Sequence, residues 1–261
     1  MKFSANLSFL YPELGFLERF TAAARDGFAA VEYLGPYAEP KQTVAETLAA
    51  NGLVQALFNV PSGDWAGGER GIAALPGRSD EFRAGVATAL DYAAALNCEK
   101  LNVIAGLVAP GADVAAMEAT LVENLKHAAP RCADAGVKLL IEPINQRDMP
   151  GFFLSTTGHA ERILERVGHD NLYIQYDLYH MQVMQGDLVP TYERLRERIA
   201  HIQLADTPGR NEPGTGEINY AFVLPALERL GYDGYFGCEY KPKAGTREGL
   251  SWMQPFLRSA T

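Results

Sequence analysis

Leu139-Leu140-Ile141-Glu142-Pro143 is a short apolar run that ends on a carboxylate and is closed by a proline. Proline biases the residue before it toward an extended backbone, so the run reads as a strand with an acid at its C-terminal end. Three more runs toward the C-terminus are built in the same way. Leu172-Tyr173-Ile174-Gln175-Tyr176-Asp177 ends on an acid; His201-Ile202-Gln203-Leu204-Ala205-Asp206 is stopped by Thr207-Pro208-Gly209; Gly237-Cys238-Glu239 runs into Tyr240-Lys241-Pro242. Working outward, strands are predicted at residues 2–8, 29–34, 53–60, 100–105, 137–142, 172–177, 201–205 and 234–239. Amphipathic stretches such as 14–25, 43–50, 81–96, 117–135 and 220–230 lie between them.

Strands alternating with helical patterns at roughly thirty-residue spacing predict an α/β fold, a closed (β/α)8 TIM barrel. A doubly wound open sheet is the alternative, and it usually carries a Gly-rich phosphate loop after its first strand. Here that segment reads Phe9-Leu10-Tyr11-Pro12-Glu13, with no such loop. No linker or low-complexity run divides the chain, so one barrel domain is expected over residues 1–261. The longest irregular stretch begins at Pro61 and runs through Trp65, Arg70 and Gly71. Such a loop serves equally as a lid over a ligand or as plain surface.

The active site of this fold lies at the C-terminal strand ends. Side chains alternate along a strand, and Val137, Leu139 and Ile141 share one parity, as do Leu172 and Ile174, Ile202 and Leu204, Phe236 and Cys238. Those apolar sets are expected against the helices. Glu142, Asp177, Gln203 and Glu239 fall on the opposite parity and point into the barrel. Each acid taken alone is equally an ordinary rim residue paired with an Arg or Lys; four matching parities on adjacent strands favour a common purpose. Converging carboxylates repel one another and lose hydration, so a compensating charge is needed. A divalent cation supplies it, and an all-oxygen donor set favours Mg²⁺ or Mn²⁺.

The net charge is −9 and no basic stripe is present, which argues against a nucleic-acid partner. No apolar run is long enough to span a membrane, and the N-terminus has no export signal. Cys98, Cys132 and Cys238 are odd in number and widely spaced, which fits reduced thiols in the cytoplasm. Homo-oligomerisation is left open. An anionic substrate in so acidic a protein would need local cations, and Arg210, Lys241 and Arg70 are the candidates, each equally readable as a solvated loop charge.

Several motifs carry a resemblance: Phe3-Ser4-Ala5-Asn6-Leu7-Ser8, Gly63-Asp64-Trp65-Ala66-Gly67-Gly68-Glu69-Arg70-Gly71-Ile72, Glu142-Pro143-Ile144-Asn145, Gln175-Tyr176-Asp177-Leu178-Tyr179-His180-Met181-Gln182, Gly214-Thr215-Gly216-Glu217-Ile218-Asn219-Tyr220 and Gly237-Cys238-Glu239-Tyr240-Lys241-Pro242. Together they resemble the hydroxypyruvate isomerase family, within the xylose isomerase-like TIM barrels, over essentially the whole chain. The resemblance implies a metal bound by Glu142, Asp177, Gln203 and Glu239, with Glu142 and Glu239 as proton-transfer groups. It implies a small hydroxy-carbonyl acid as substrate, isomerised through an enediolate. The ketose 3-epimerases are similar at greater distance: there a His usually stands where Gln203 does, a substrate-binding His matches His180, and a glutamate is replaced here by Asp148. The 2-oxo-tetronate isomerases are the nearest rival. Barrel endonucleases use several zinc ions and many His ligands, which five histidines in an acidic chain do not supply. A non-catalytic sugar-acid-binding barrel would need no flanking pair of glutamates. Glu32, ending strand two, stands outside the expected site as a supporting partner or a plain salt bridge.

Overall fold

Strand-forming runs and amphipathic helices alternate through the computed structural model, which describes residues 1–257; residues 258–261 of the expected unit lie outside the described residues. The strands are β1 (Lys2–Asn6), β2 (Ala30–Tyr33), β3 (Val54–Asn59), β4 (Lys100–Val103), β5 (Lys138–Ile141), β6 (Leu172–Asp177), β7 (Ile199–Leu204) and β8 (Tyr235–Cys238). Each pairs in parallel with the next, and β8 returns to β1 to close the barrel. The helices are α1 (Phe16–Arg25), α2 (Lys41–Ala50), α3 (Ser79–Leu96), α4 (Val114–Asp134), α5 (Thr157–Val167), α6 (Leu178–Met184), α7 (Leu188–Leu195), α8 (Tyr220–Arg229) and α9 (Thr246–Gly249), followed by a 3₁₀ segment, Leu250–Phe256.

The predicted strands appear in order, most of them trimmed at the ends. β5 stops at Ile141 and β8 at Cys238, so Glu142 and Glu239 stand one residue past their strands, on the rim. Helix starts are set by side-chain caps: Asp113 accepts from Ala115 and Ala116, Thr156 from His159, and Asn219 from Phe222.

The parity expectation holds across the late strands. Leu139, Leu172, Ile174, Ile202, Leu204 and Cys238 are fully buried against the helical layer. Each buried aliphatic of this kind contributes about 1.5–3 kcal/mol before chain entropy is counted. The barrel interior is different. Branched aliphatics usually fill it, but here Ser4, Asn6, Glu32, Asn102, Gln175, His201 and Gln203 occupy it, each at most 1% exposed. Buried polar groups are mostly hydrogen-bonded; each of these makes at least one such bond, and together they form the floor of the site above them. Register places Asp177 opposite Gln203, and Gln203 opposite Gly237.

Candidate active site

Asp177 closes β6 and caps α6. Its Oδ1 accepts from the Tyr179 and His180 amides at 2.8 and 3.1 Å, where the helix dipole also favours the negative charge. Its Oδ2 is buried and has no hydrogen-bond partner among the described residues. Glu142, past β5, accepts from Asn102 Nδ2 at 3.0 Å. Glu239, past β8, is held at both oxygens: Oε2 accepts from Asn6 and Gln203, and Oε1 from Arg210 at 2.7 Å. Burial pushes all three carboxyls above their ordinary range; Asp177 adds to the effect at Glu142, while Arg210 opposes it at Asp177 and Glu239.

Glu142, Asp177 and His180 bring ligand atoms within 4.8 Å of one another. The orphaned Asp177 oxygen, two buried carboxyls of raised pKa and the nearby Glu239 fit a hard divalent cation. Gln203 is the exception within the expected ligand set. Its amide nitrogen faces Glu32 and Glu239, at 2.7 and 2.8 Å, and its oxygen accepts from Gln175. To serve as a ligand it must turn its carbonyl inward.

Sequence reasoning set Glu32 aside, yet four side chains donate to it inside the barrel. Oε2 accepts from Ser4 Oγ and His201 Nε2, at 2.6 and 2.8 Å; Oε1 accepts from Gln203 and Asn6. Burial works to raise its pKa, but His201 and the bonds from Ser4 and Gln203 hold it below the usual carboxylate range. Gly237 makes the room, because a Cβ there would lie 2.3 Å from Glu32 Oε1. Asn6 and Gln203 each bridge Glu32 to Glu239, so the buried acid steadies the rim acid. A Gly facing an acid from a non-neighbouring strand was the signal available, and it shows only once the barrel is closed.

Of the candidate cations, only Arg210 enters the cluster. Besides Glu239 it contacts Asp148 at 3.4 Å and lies over the rings of Phe9 and Tyr179, at 4.9 and 5.3 Å. Its φ of 54° is a left-handed conformation unfavourable to a side chain, and such strain persists where the surroundings enforce it. Asp206 does so. Its two oxygens accept four amides, from Thr207, Ile218, Gly214 and Gly216. Lys241 is exposed and joined to Arg210 through its backbone amide. Arg70 stacks on Trp65 at 4.4 Å and donates to carbonyls of its own loop. Neither side chain is brought to the cluster: one lies in solvent, and the other is engaged by its neighbours. His180 is buried beside the acids, its Nε2 3.9 Å from Glu142 and 3.8 Å from Asp177.

Comparison with known proteins places this geometry. Residues 20–256 match the sequence profile described as xylose isomerase-like TIM barrel. A 2-oxo-tetronate isomerase of Cupriavidus necator is 50% identical, the alignment covering 98% of each chain. A hydroxypyruvate isomerase of Escherichia coli is 49% identical over 98% of this chain and 99% of that one. The crystal structure of a Brucella melitensis protein described as an AP endonuclease, family 2, superposes with a TM-score of 0.95 at 44% identity, covering 98% of this chain and 99% of that one.

Proposed function

The chain belongs to the xylose isomerase-like TIM barrel family, and on that premise we propose that it interconverts hydroxypyruvate and tartronate semialdehyde, using a divalent cation and two glutamates. Kinship over nearly the whole length, at 50% and 49% identity, makes the chain an isomerase. The finer reading rests on one observation: among the described residues, three buried carboxyls gather at the rim with a single guanidinium among them. Glu142, Asp177 and Glu239, joined by Gln203 once its carbonyl is turned inward, would hold Mg²⁺ or Mn²⁺. When bound, the ion supplies Lewis-acid polarisation of the substrate carbonyl, worth several kcal/mol.

The reaction moves one proton between neighbouring carbons. A glutamate carboxylate breaks the C3–H bond of hydroxypyruvate, and the electron pair becomes the C2–C3 double bond of an enediolate. A carboxyl returns a proton to C2 while the C3 hydroxyl proton passes to the C2 oxygen, leaving the aldehyde. Glu142 and Glu239 stand just past β5 and β8, on different sides of the mouth, so one serves as base and the other as acid, each contributing on the order of 10²–10⁴. Arg210 holds the substrate carboxylate, exchanging its Glu239 partner for the incoming anion. The two names borne by relatives at 50% and 49% identity keep a 2-oxo-tetronate as the second reading. A nucleic-acid substrate finds no support in a chain of net charge −9.

Turnover of hydroxypyruvate, 2-oxo-tetronates and free ketoses, measured side by side, separates these readings. A chelator should abolish activity and Mg²⁺ or Mn²⁺ restore it. With occupancy confirmed, Glu142→Gln and Glu239→Gln should each cut turnover by roughly 10²–10⁴. The variant lacking the abstracting base should also lose deuterium exchange into substrate from D₂O. Near-normal turnover in both variants would end the two-glutamate mechanism, and full activity in protein shown metal-free by elemental analysis would end the metal requirement.

A further inference from the structure

We infer that Asn145 is a positioning residue that fixes the proton of His180 on Nε2, so that His180 donates to a substrate oxygen and stands outside the ligand set of any bound cation. The inference rests on the isomerase reading for the donor's purpose, and on geometry alone for the proton's place. The chain of bonds starts at the Asp148 backbone amide, which donates to Asn145 Oδ1 at 2.7 Å. That bond settles which end of the buried Asn145 amide is oxygen, an assignment otherwise left to the network. The nitrogen end therefore faces the imidazole, with Nδ2 2.6 Å from His180 Nδ1. The backbone amide of Asn145 points at the same ring nitrogen from 3.4 Å.

Two N–H groups directed at Nδ1 require its lone pair, and a neutral imidazole then carries its proton on the other nitrogen. His180 and Asn145 are 1% and 0% exposed, so water does not compete for these contacts. Nε2 faces the acids; an Arg210 Nη2–H also points at it from 3.4 Å, and since a guanidinium only donates, that weak contact must give way, Arg210 keeping its Glu239 bond, for Nε2 to carry the proton. A nitrogen that bears a proton cannot ligate a cation. The buried trio of Glu142, Asp177 and His180 thus divides: two carboxyls for the ion, and one N–H for a substrate oxygen beside it.

The readout is the ring proton itself. In ¹⁵N-labelled full-length protein, a long-range ¹H–¹⁵N correlation should show His180, assigned by its loss in His180→Gln, with Nε2 protonated and Nδ1 bare. Saturation with Mg²⁺ alone should leave that pattern intact. Asn145→Asp keeps the acceptor for the Asp148 amide and replaces the donor at Nδ1 by an acceptor. At alkaline pH, where the introduced carboxylate is ionised, the proton should move to Nδ1. Turnover on the preferred oxo acid should then fall by roughly 10–100-fold, while Mn²⁺ affinity by calorimetry holds or rises. A residue that only supported the fold would lower both. Where Asn145→Asp folds poorly, the wild-type spectrum decides. A wild-type protein carrying the proton on Nδ1, or losing the Nε2 proton when Mg²⁺ binds, would overturn the inference even if turnover were normal. The tautomer observed as expected in a protein inactive on every oxo acid would instead count against the isomerase substrate, leaving the positioning intact.

Discussion

In the proposed reaction, Arg210 is the residue on which substrate choice would turn. Burial works against its charge, yet Glu239, Asp177, Asp148 and Glu142 together raise its pKa, so it stays a cation. It is planar and held over two rings, which suits a carboxylate better than a flexible ammonium would. Arg210→Met is therefore expected to raise KM for the oxo acid by roughly tenfold or more while changing binding of the matching alcohol little, since one charge-assisted bond is worth about 1.5–3 kcal/mol. Equal losses for both ligands, measured by steady-state kinetics and competitive inhibition, would show that the anchor lies elsewhere. At this scale the sequence was most legible where chemistry coincided with strand parity: Glu142, Asp177 and Glu239 meet at the rim, and His180 lies against them. Arg70 was legible only as a charge in the long loop, and Lys241 as one just past a strand end. Whether a loop cation turns inward depends on contacts such as the Trp65 ring, which spacing along the chain does not encode. Glu32 was passed over for the complementary reason, because its partners on β7, His201 and Gln203, come to β2 only through closure of the barrel.

Among the elements, the loop joining β7 to α8 does most to shape the site. Asp206 gathers four of its amides onto one carboxylate, and Gly216 passes so close that a Cβ would lie 2.1 Å from the Thr207 carbonyl. Asp206→Asn would turn an acceptor into a donor against that ring of amides. It should lower stability by about 1–3 kcal/mol and raise KM for the acid through loss of the Arg210 placement, while Mg²⁺ affinity holds. Denaturant unfolding together with kinetics on the same preparation reads out the two effects; unchanged KM would separate the loop from substrate binding. Five helices were visible as amphipathic stretches, and their ends fell within a few residues of those observed. The helices α5, α6 and α7 were not singled out. α6 is fully buried through Leu178, Tyr179, His180 and Met181, so it lacks the polar face that makes a helix visible to periodicity.

For the molecule as a whole, the acidic mouth sets how stability depends on pH. A carboxyl whose folded pKa is raised stabilises the fold in its neutral form; that contribution is complete below the unfolded pKa and is lost as pH climbs through the folded one. Glu142, Asp177 and Glu239 are all raised. Metal-free protein should therefore lose thermal stability as pH rises from about 4 toward and beyond neutrality. Glu32, lowered, acts with the opposite sign and matters only in acid. Mn²⁺ should raise Tm by more at higher pH, and a Tm gain from Mn²⁺ that shrank with rising pH would mean the ion binds away from these acids. Barrel closure was readable because strand runs and helical patterns alternate so regularly; the polar interior was less so, since inward residues look like isolated substitutions until the strands are aligned. The loop bound to Asp206 has one more consequence. Because it is tied by its own amides to the residue that launches it, it behaves as a cassette, with the frame in the scaffold and the recognition group at its tip. Descendants of such a barrel could acquire new substrates by exchanging the tip around Arg210 while inheriting Asp206 and the acids unchanged, so that chemistry and selectivity diverge on separate clocks.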